Sequence, residues 1–325
     1  MCCSMTRSRW GRTGWAATRS DAPSVRRSTK GRSSWCARWT AWRTCGGCGE
    51  MTTQQLPRTD LPIPLIEGEL PRAGERAYAE FEHYECGGAT AFASEWGDDE
   101  KTAWRRLREK MEPFSEPVVD ILLADPELSS RVRGSVADIG AGSCWLAGKV
   151  SALDRVEHVY AQDLSPAFLR DVGVKVYTDL GGDLSKLTLV SSDFSQIPLP
   201  AATLDTAFFF AALHHSLSPI PTLREILRCL KPGGTLFIHE SPVAELGVER
   251  NRRWSETVHN ACEIPTTFND IVYYLNMAGA TNLRWRRLDF SRNVVRRAVR
   301  GMLRASRIEN WVRPPAYLFV CEAPE

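Results

Sequence analysis

The sequence feature that most constrains this chain is a pair of glycines between a short apolar segment and the start of a helix. Residues 136–147 read Val-Ala-Asp-Ile-Gly-Ala-Gly-Ser-Cys-Trp-Leu-Ala. Glycines at alternate positions let the backbone bend sharply and keep any Cβ away from a ligand. The helix start offers N–H groups that have no partner within the helix. The segment fills most of a Gly-x-Gly-x-x-Gly pattern, so its meaning depends on the residues at the ends of the later strands.

From residue 135 the hydrophobic period alternates between strand and helix, which predicts a mainly parallel sheet covered by helices on both faces. We therefore expect an α/β, doubly wound, Rossmann-like sheet of seven strands. The predicted strands are 135–139, 158–162, 187–191, 204–212, 235–239, 282–288 and 316–322. Helices are predicted at about 98–111, 115–124 and 266–278, with Ser165 and Pro166 opening another. Lys231-Pro232-Gly233-Gly234 should end the helix that comes after the fourth strand.

The first fifty residues differ in composition from the rest of the chain. They hold ten Lys or Arg against two acidic residues, a charge of +8, whereas residues 51–325 hold 31 basic and 37 acidic residues, a charge of −6. They also hold five of the eleven Trp and five of the ten Cys, with almost no Leu, Ile or Val. Such a segment cannot build a core, so we predict a disordered, non-globular leader over 1–50. Met51 is then a plausible true start.

Functional interpretations of this leader are incomplete. Val25-Arg26-Arg27-Ser28 resembles a twin-arginine signal without the apolar segment that should come after it, and Cys45-Gly46-Gly47-Cys48 resembles half of a zinc site. An Arg- and Ser-rich leader is also typical of a transit peptide. No metal site is expected. The cysteines outside the leader are scattered, which fits free thiols in a reducing cytoplasm, and no apolar run approaches the ~18 residues of a membrane span.

Two further regions have open interpretations. Residues 51–114 are expected to form an N-terminal helical cap, whose aromatic residues either pack or form a lid over a pocket. A basic amphipathic insertion at 291–308 carries Arg292, Arg296, Arg297, Arg300, Arg304 and Arg307, with Val295, Val299, Met302 and Leu303 on another face. It is either a solvated helix face or a surface for an anionic acceptor, a lipid surface or a nucleic acid.

Marked residues lie at the ends of four of the predicted strands: the two glycines, Asp163, Asp193, and the pair His214 and His215. In sheets of this kind, ligands bind beyond the carboxyl ends of the strands. Asp163 lies 23 residues after Gly140, near the spacing expected of a carboxylate that accepts from ribose hydroxyls. An ionised carboxylate is an acceptor only, and it can take both hydroxyl protons.

Five short motifs in order resemble the class I S-adenosylmethionine-dependent methyltransferases. They are Asp-x-Gly-x-Gly, Gln-Asp-Leu-Ser-Pro, Ser-Asp-Phe, Leu-Asp-Thr-Ala-Phe and Leu-Lys-Pro-Gly-Gly, and they cover about residues 115–290. The order is similar to the branch with quinone-biosynthesis C-methyltransferases and many small-molecule methyltransferases. The resemblance implies a methyltransferase domain over 115–325, an antiparallel last strand and S-adenosyl-L-methionine as cofactor.

The resemblance also implies roles for individual residues. Asp138, Gly140, Ala141 and Gly142 would line the methionine part of the cofactor, Asp163 would hold the ribose, and Leu164 and Phe194 would flank the adenine, with Asp193 accepting from its amino group. Cys144 departs from the family pattern, since it replaces the usual third glycine. Leu-His-His also differs from the element of many amino-directed nucleic-acid methyltransferases, which disfavours nucleic acid as the acceptor.

The histidines after the fourth strand are the candidate catalytic residues. A base is needed only if the acceptor loses a proton, and the pKa of histidine suits that work. His214 or His215 is either that base or part of a packed pair at a strand end. If the chain there is extended, adjacent side chains point in opposite directions, and His214 is favoured for the pocket.

These observations predict a cytoplasmic methyltransferase that acts on an oxygen or carbon of a small-molecule acceptor. Two alternatives stay open. One is an RNA methyltransferase that uses the basic insertion, and the other is a cofactor-binding partner protein without transfer activity. The sequence specifies neither the acceptor nor the oligomeric state.

Overall fold

The computed structural model describes residues 63–68, 99–114, 116–251, 253, 264–288, 294–306, 308–312 and 314–325. The predicted leader at 1–50, most of the predicted cap between 51 and 98, and Cys86 and Cys262 lie outside the described residues. Predictions about them stay predictions. Among the described cysteines, Cys144, Cys229 and Cys321 are buried free thiols, as expected.

The described residues form one sheet of eight strands in the order β1-β4-β3-β2-β5-β6-β8-β7. The neighbouring pairs are parallel except for the two that involve β8, which confirms the mainly parallel sheet with an antiparallel last strand. The strands are β1 Leu65–Glu67, β2 Gly134–Ile139, β3 Val156–Asp163, β4 Leu187–Ser191, β5 Leu204–Phe210, β6 Leu230–Glu240, β7 Thr281–Leu288 and β8 Ala316–Glu322.

Strand β1 is the one addition to the seven predicted strands. It pairs with β4 at the edge of the sheet, with Leu65 opposite Leu189. Its three residues are too few to show an alternating pattern, so only the exposed edge of β4 selects them as a strand.

Helices cover both faces of the sheet. They are α1 Glu100–Phe114, α2 Glu116–Ala124, α3 Pro126–Ser130, α4 Trp145–Ser151, α5 Pro166–Phe168 with a π-helical turn Leu169–Gly173 and a last part Val174–Asp179, α6 Pro219–Cys229, α7 Phe268–Ala278, α8 Val294–Ala305 and α9 Glu309–Val312. Short 3-10 turns occupy Leu184–Lys186, Leu213–His215 and Glu245–Gly247. In the described part of the chain, no helix is both long and apolar enough to cross a membrane.

The predicted helix starts are confirmed by their caps. The Ser165 hydroxyl accepts from the Phe168 N–H at 3.1 Å, and Pro166 lies next to it in the first turn. At α7, Thr267 and Asp270 form a reciprocal capping box, and Gly279 ends the helix with a left-handed φ of 94°. These local interactions satisfy helix-end groups that would otherwise lack partners.

The central strands are buried on both faces, as the apolar run of β5 predicted. Phe208 stacks on Phe237 at 5.3 Å between ring centroids on one face, while Phe209 packs with Ile238 in the core on the other face. Because every second side chain points to the opposite face, a strand at the centre needs apolar residues at nearly every position.

Several strand boundaries differ from the prediction, and the differences at β5 and β6 have a local reason. Strand β5 ends at Phe210 rather than at residue 212, because Ala211 takes a left-handed φ of 50° and a 3-10 turn begins at Leu213. Strand β6 begins at Leu230, so the Lys-Pro-Gly-Gly segment lies within the strand instead of before it. The pairing of β5 with β6 shifts register between Leu204 and Thr206, and this irregularity accommodates Gly233 with its positive φ.

Candidate active site at the carboxyl ends of the strands

The glycine loop after β2 is fastened to the end of β3 by three hydrogen bonds from its backbone. The Gly140 N–H donates to Gln162 Oε1 at 3.0 Å, and the Ala141 N–H donates to the Gln162 carbonyl at 2.8 Å. The Gly142 N–H donates to Asp163 Oδ2 at 2.8 Å. Two consecutive residues of the neighbouring strand therefore fix the conformation of the loop.

Gln162 is a site residue that the sequence-based prediction missed. It is buried, and besides accepting from Gly140 its Nε2 donates to the Ser192 carbonyl beyond β4. A single amide thus joins the carboxyl ends of three structural elements. A buried amide needs partners for both its oxygen and its nitrogen. The signal in the sequence is weak: a polar residue late in the strand, after Val159, Tyr160 and Ala161 and directly before Asp163.

The carboxylate of Asp163 accepts from three backbone amides. Oδ1 accepts from Leu164 at 2.7 Å and from Ser165 at 3.4 Å, while Oδ2 accepts from Gly142. Burial raises the pKa of Asp163, although these three N–H groups oppose the rise. A carboxylate has about four lone-pair positions, so about one acceptor position on Oδ2 is still available to a ligand in this conformation.

Asp138 is a second carboxylate beside the loop, and it is 3% exposed. Its Oδ2 accepts from the Ala147 N–H in the first turn of α4 at 3.0 Å. Burial, helped by the negative charge of Asp163 and opposed by the Ala147 N–H, raises the pKa of Asp138 to about 7. Two neighbouring carboxylates with raised pKa values, of which Asp138 is buried, form a site that favours a positively charged ligand.

The raised pKa of Asp138 predicts that the free energy of unfolding depends on pH in an unusual direction. The folded protein retains the Asp138 proton up to about pH 7, whereas the unfolded chain loses it near pH 4, so stability falls as the pH rises between these values. We expect Asp138→Asn to remove this loss and to raise the free energy of unfolding at pH 8 by on the order of 2 kcal/mol. Urea unfolding at pH 5 and pH 8 measures the difference.

Asp205 provides a control of opposite sign for this experiment. Burial raises the pKa of Asp205, but its contacts with Lys231 at 2.7 Å and with the Ser135 N–H at 2.9 Å outweigh burial and lower it. Asp205→Asn should therefore destabilise the protein at neutral pH, and its effect should shrink as the pH falls through the lowered pKa. The raised pKa of Asp138 would be contradicted if the free energy of unfolding of the wild type rose from pH 5 to pH 8 and Asp138→Asn had no effect on it.

The two loop glycines have different surroundings. A Cβ at Gly140, where φ is 68°, would lie 2.8 Å from Ala212 Cβ and 3.3 Å from the Phe194 ring. A Cβ at Gly142, where φ is 50°, would meet nothing within 4 Å. The first glycine is thus required by the protein's own packing, whereas the second leaves open space beside the backbone.

Phe194 and Asp193 lie on the loop after β4, as predicted. Phe194 reaches the glycine loop and makes an edge contact with Phe209 at 5.3 Å. Asp193 Oδ1 accepts from both the N–H and the hydroxyl of Ser195, within its own turn. Leu164 is half-buried, and its carbonyl accepts from the Ser191 hydroxyl at 3.2 Å. The structure therefore brings the predicted cofactor residues together along the ends of β2, β3 and β4.

Cys144 occupies the position of the missing third glycine, and it keeps the backbone conformation of a glycine. Its φ is 57°, and its side chain is fully buried. A Cβ added at Gly173 would lie 2.7 Å from the Cys144 sulfur, so a glycine in the π-helical turn of α5 makes room for the thiol. The small residue at this contact is therefore on the helix that packs against the loop.

The histidines lie on the 3-10 turn after β5, so the orientation predicted for an extended chain is wrong. In this turn the rings of His214 and His215 lie side by side with centroids 4.3 Å apart. Ala212, which contacts the position of Gly140, directly precedes the turn. The histidine turn and the glycine loop are thus neighbours at the same edge of the sheet.

His214 is paired with a buried glutamate from the end of β6. Its Nδ1 lies 3.1 Å and 3.2 Å from the two carboxylate oxygens of Glu240, which also accepts from the Leu213 N–H at 2.9 Å. Burial raises the pKa of Glu240, but the hydrogen bond and charge of His214 outweigh burial and lower it. An ionised Glu240 assigns the Nδ1 proton to His214 and places the basic lone pair on Nε2.

Comparison with known proteins agrees with this geometry. Residues 137–238 match the family described as the methyltransferase domain. The chain is 29% identical over 144 residues to an uncharacterized chloroplastic methyltransferase of Arabidopsis thaliana, covering 43% of this chain and 41% of that protein. It is 26% identical over 145 residues to the tRNA U34 carboxymethyltransferase of Desulfotalea psychrophila, covering 45% and 38%.

A third relative is the ubiquinone/menaquinone biosynthesis C-methyltransferase of Syntrophotalea carbinolica, with 30% identity over 119 residues that cover 37% of this chain and 48% of that protein. The chain thus spans less than half the length of each of these relatives. Among solved structures, a complex of the Haloferax volcanii Trm112 methyltransferase activator with a protein described as a methyltransferase has a similar fold. Its TM-score is 0.51 at 20% identity, covering 67% of this chain and 93% of that one.

The strand order, the glycine loop and the family match over 137–238 lead to one assignment. Residues 137–238 match the methyltransferase domain, and the fold around them is similar to that of the class I S-adenosylmethionine-dependent methyltransferases.

Proposed function

We propose that this chain transfers a methyl group from S-adenosylmethionine to an oxygen or carbon of a small-molecule acceptor, with His214 as the general base. One observation carries the proposal. The loop flanked by the carboxylates of Asp138 and Asp163 lies beside a turn on which a buried glutamate orients a histidine. A cofactor site and a candidate base are therefore adjacent at one edge of the sheet.

The residues of the loop suit S-adenosylmethionine in charge and in shape. The cofactor carries a sulfonium and an ammonium group, and positive charge would stabilise the neighbouring carboxylates of Asp138 and Asp163. The open space beside Gly142 lets a ligand approach the backbone closely. Asp138, Gly140, Ala141 and Gly142 would hold the methionine part.

The rest of the cofactor site lies along the same edge of the sheet. The remaining acceptor position of Asp163 would take a ribose hydroxyl, and release of the Gly142 N–H from its carboxylate would free a second. Leu164 and Phe194 would pack against the adenine. Asp193 would accept from the adenine amino group.

The bound cofactor supplies an activated methyl group, so little further chemistry is required of the protein. Positioning of the reacting atoms contributes most of the rate enhancement. His214 Nε2 would accept the proton of an acceptor hydroxyl or of an acidic C–H group. Glu240 would orient the ring through Nδ1 and stabilise the imidazolium that forms.

Substitution of Asp163 tests the cofactor site. Asp163→Ala removes up to two charge-assisted hydrogen bonds of roughly 1.5–3 kcal/mol each, partly replaced by water, so the affinity for S-adenosylhomocysteine should fall by about a hundredfold. Isothermal titration calorimetry gives the affinity. Asp163→Asn keeps one oxygen for the Gly142 N–H, and it should lose affinity with a smaller loss of melting temperature.

Asp154→Ala is the matched control, because this aspartate is exposed in the turn between α4 and β3. It should leave the affinity unchanged. Wild-type affinity in both Asp163 variants would remove that residue from the site.

Methyl transfer to RNA is the second candidate function. The arginines of α8 and the similarity to a tRNA-modifying enzyme favour it. Transfer of a labelled methyl group to RNA, with binding that weakens steeply as salt increases, would support it. A third alternative, a cofactor-binding partner without catalysis, would be excluded by methyl transfer to any acceptor.

A further inference from the structure

Exposed apolar residues gather where α8 and α9 leave the sheet. We call them the apolar edge patch: Leu246, Met302, Ile308, Trp311 and Val312. Leu246 is 74% exposed, Met302 is 63% exposed and Trp311 is 55% exposed. Helix α9 packs against both α8 and the turn Glu245–Gly247, so the elements that carry these residues are neighbours. Large exposed apolar patches are typical of interaction surfaces.

The patch lies at the edge of the sheet that carries the candidate active site. The segment with α8 and α9 joins Leu288 at the end of β7 to Ala316 at the start of β8, and these two residues are paired. The next residue, Tyr317, pairs with Glu240 of the histidine–glutamate pair. An acceptor that approaches His214 at this edge would therefore pass near the patch.

Side-chain contacts hold α9 to the sheet and leave its apolar residues outward. The Tyr317 hydroxyl donates to Asn310 Oδ1 at 2.7 Å. Glu309 is buried and pairs with Arg287 of β7 at 2.6 Å. The polar residues of α9 thus bind the sheet. Trp311 and Val312 are exposed because of the orientation in which these contacts hold the helix, and not because the helix is detached from the sheet.

The segment that contains α8 and α9 is rich in positive charge in its sequence. Residues 294–312 contain five arginines, at 296, 297, 300, 304 and 307, and one acidic residue, Glu309, which is already paired. Residues 51–325 as a whole carry 31 basic and 37 acidic residues. A positive segment with exposed apolar side chains on an otherwise negative body fits an anionic surface that also accepts apolar groups.

We infer that α8 and α9 dock this edge of the protein on an anionic lipid surface, from which an apolar acceptor reaches the site. The substrate class rests on the proposed function, whereas the docking does not. Nucleic acid fits less well, because a phosphate backbone gains nothing from exposed Met302, Ile308 and Val312. A bilayer interface takes such aliphatic side chains and favours tryptophan at the depth of the headgroups.

Vesicle co-sedimentation of the full chain tests the docking. Phosphatidylcholine vesicles are compared with vesicles that contain phosphatidylglycerol. Binding is expected for the anionic vesicles and should weaken as salt increases. Met302→Asp and Trp311→Asp each remove an apolar contact and add a repelled charge, so each should weaken binding by about tenfold or more.

Met277→Asp and Tyr273→Asp on α7 are the matched controls, since these side chains are 46% and 55% exposed outside the patch. They should bind vesicles as the wild type does. Calorimetry with S-adenosylhomocysteine on the same samples keeps the two proposals distinct. A wild type that does not bind the cofactor product counts against the proposed function, and a wild type that does not bind vesicles counts against the docking.

Three outcomes would overturn the docking. The first is no binding to anionic vesicles, and the second is equal loss of binding in the patch variants and in the controls. The third is binding to RNA without binding to vesicles, which would assign the surface to nucleic acid. Light scattering measures the oligomeric state of the same samples. If the wild type is a dimer that Met302→Asp disrupts, and if it does not bind vesicles, then a second copy of the chain covers the patch.

Discussion

His214→Ala is expected to lower turnover by roughly 10²–10⁴-fold and to leave the affinity for S-adenosylhomocysteine nearly unchanged. The His214 imidazole lies in the turn after β5 and is held by Glu240 at the end of β6, while the predicted cofactor residues belong to the ends of β2, β3 and β4. Loss of the base should therefore affect the chemical step and not the cofactor site. Turnover with a methyl-labelled cofactor and calorimetry separate the two effects.

The dependence of turnover on pH distinguishes the loss of a general base from damage to the fold. A general base works in its neutral form, so wild-type turnover should rise as the pH increases through the imidazole pKa and then level off. Glu240→Gln removes the negative charge that stabilises the imidazolium, so it should lower turnover and shift the rise to lower pH. A change that only damaged the fold would not move the profile.

Two other histidines serve as comparisons. His158 lies near the start of β3, where its Nε2 contacts the Thr188 hydroxyl at 2.9 Å, so His158→Ala should leave turnover unchanged. His215 contacts the His214 ring and is expected to cost mainly stability when replaced. Full turnover with a flat pH profile in His214→Ala would show that positioning alone drives transfer.

Gly142→Val is expected to abolish cofactor binding, with an affinity loss of at least about a thousandfold, or roughly 4 kcal/mol. A Cβ at this position meets no protein atom within 4 Å, so a larger side chain would project into the open space that the proposed function assigns to the cofactor. The left-handed φ of 50° adds backbone strain, because a β-branched residue rarely adopts it. Calorimetry and thermal unfolding together distinguish a filled site from a lost fold.

The neighbouring positions give two contrasting variants. Gly140→Ala places its Cβ 2.8 Å from Ala212 Cβ, so it should lower the melting temperature as well as the affinity. Cys144→Gly relieves a left-handed non-glycine residue but empties a buried volume beside Gly173, so cofactor affinity should stay within a few-fold. Equal damage from Cys144→Gly and Gly142→Val would mean that the loop does not form the cofactor site.

Much of the fold could be predicted because local patterns specify its elements. The doubly buried run of β5, the cap formed by Ser165 and Pro166, and the capping box at Thr267 each depend on residues close together in sequence. The turn after β5 was harder to predict, because Ala211 adopts a left-handed conformation that its residue type does not indicate. The short β1 was missed for the related reason that an edge strand depends on its partner.

The candidate site divides in the same way. The positions of Asp138, Gly140, Gly142 and Asp163 beside one another were predictable, since a loop and the end of the next strand lie at a regular spacing in such folds. Their contact with the cofactor stays a prediction. The role of Gln162 was not predictable, because it depends on two amide contacts with other elements. The pairing of His214 with Glu240 joins residues 26 positions apart, and only the alignment of β5 with β6 brings them together.

The order of strands and helices, the glycine turn and the acidic residue after the second predicted strand are all visible in the amino-acid sequence. They depend on hydrophobic period and backbone preference, which act over a few residues. Folding of the sheet is needed before Gly173 can accommodate Cys144, before burial and the charge of Asp163 can raise the pKa of Asp138, and before Glu240 can orient His214. Each of these is a contact between distant parts of the chain, and its energy depends on burial and distance that exist only once the sheet has formed.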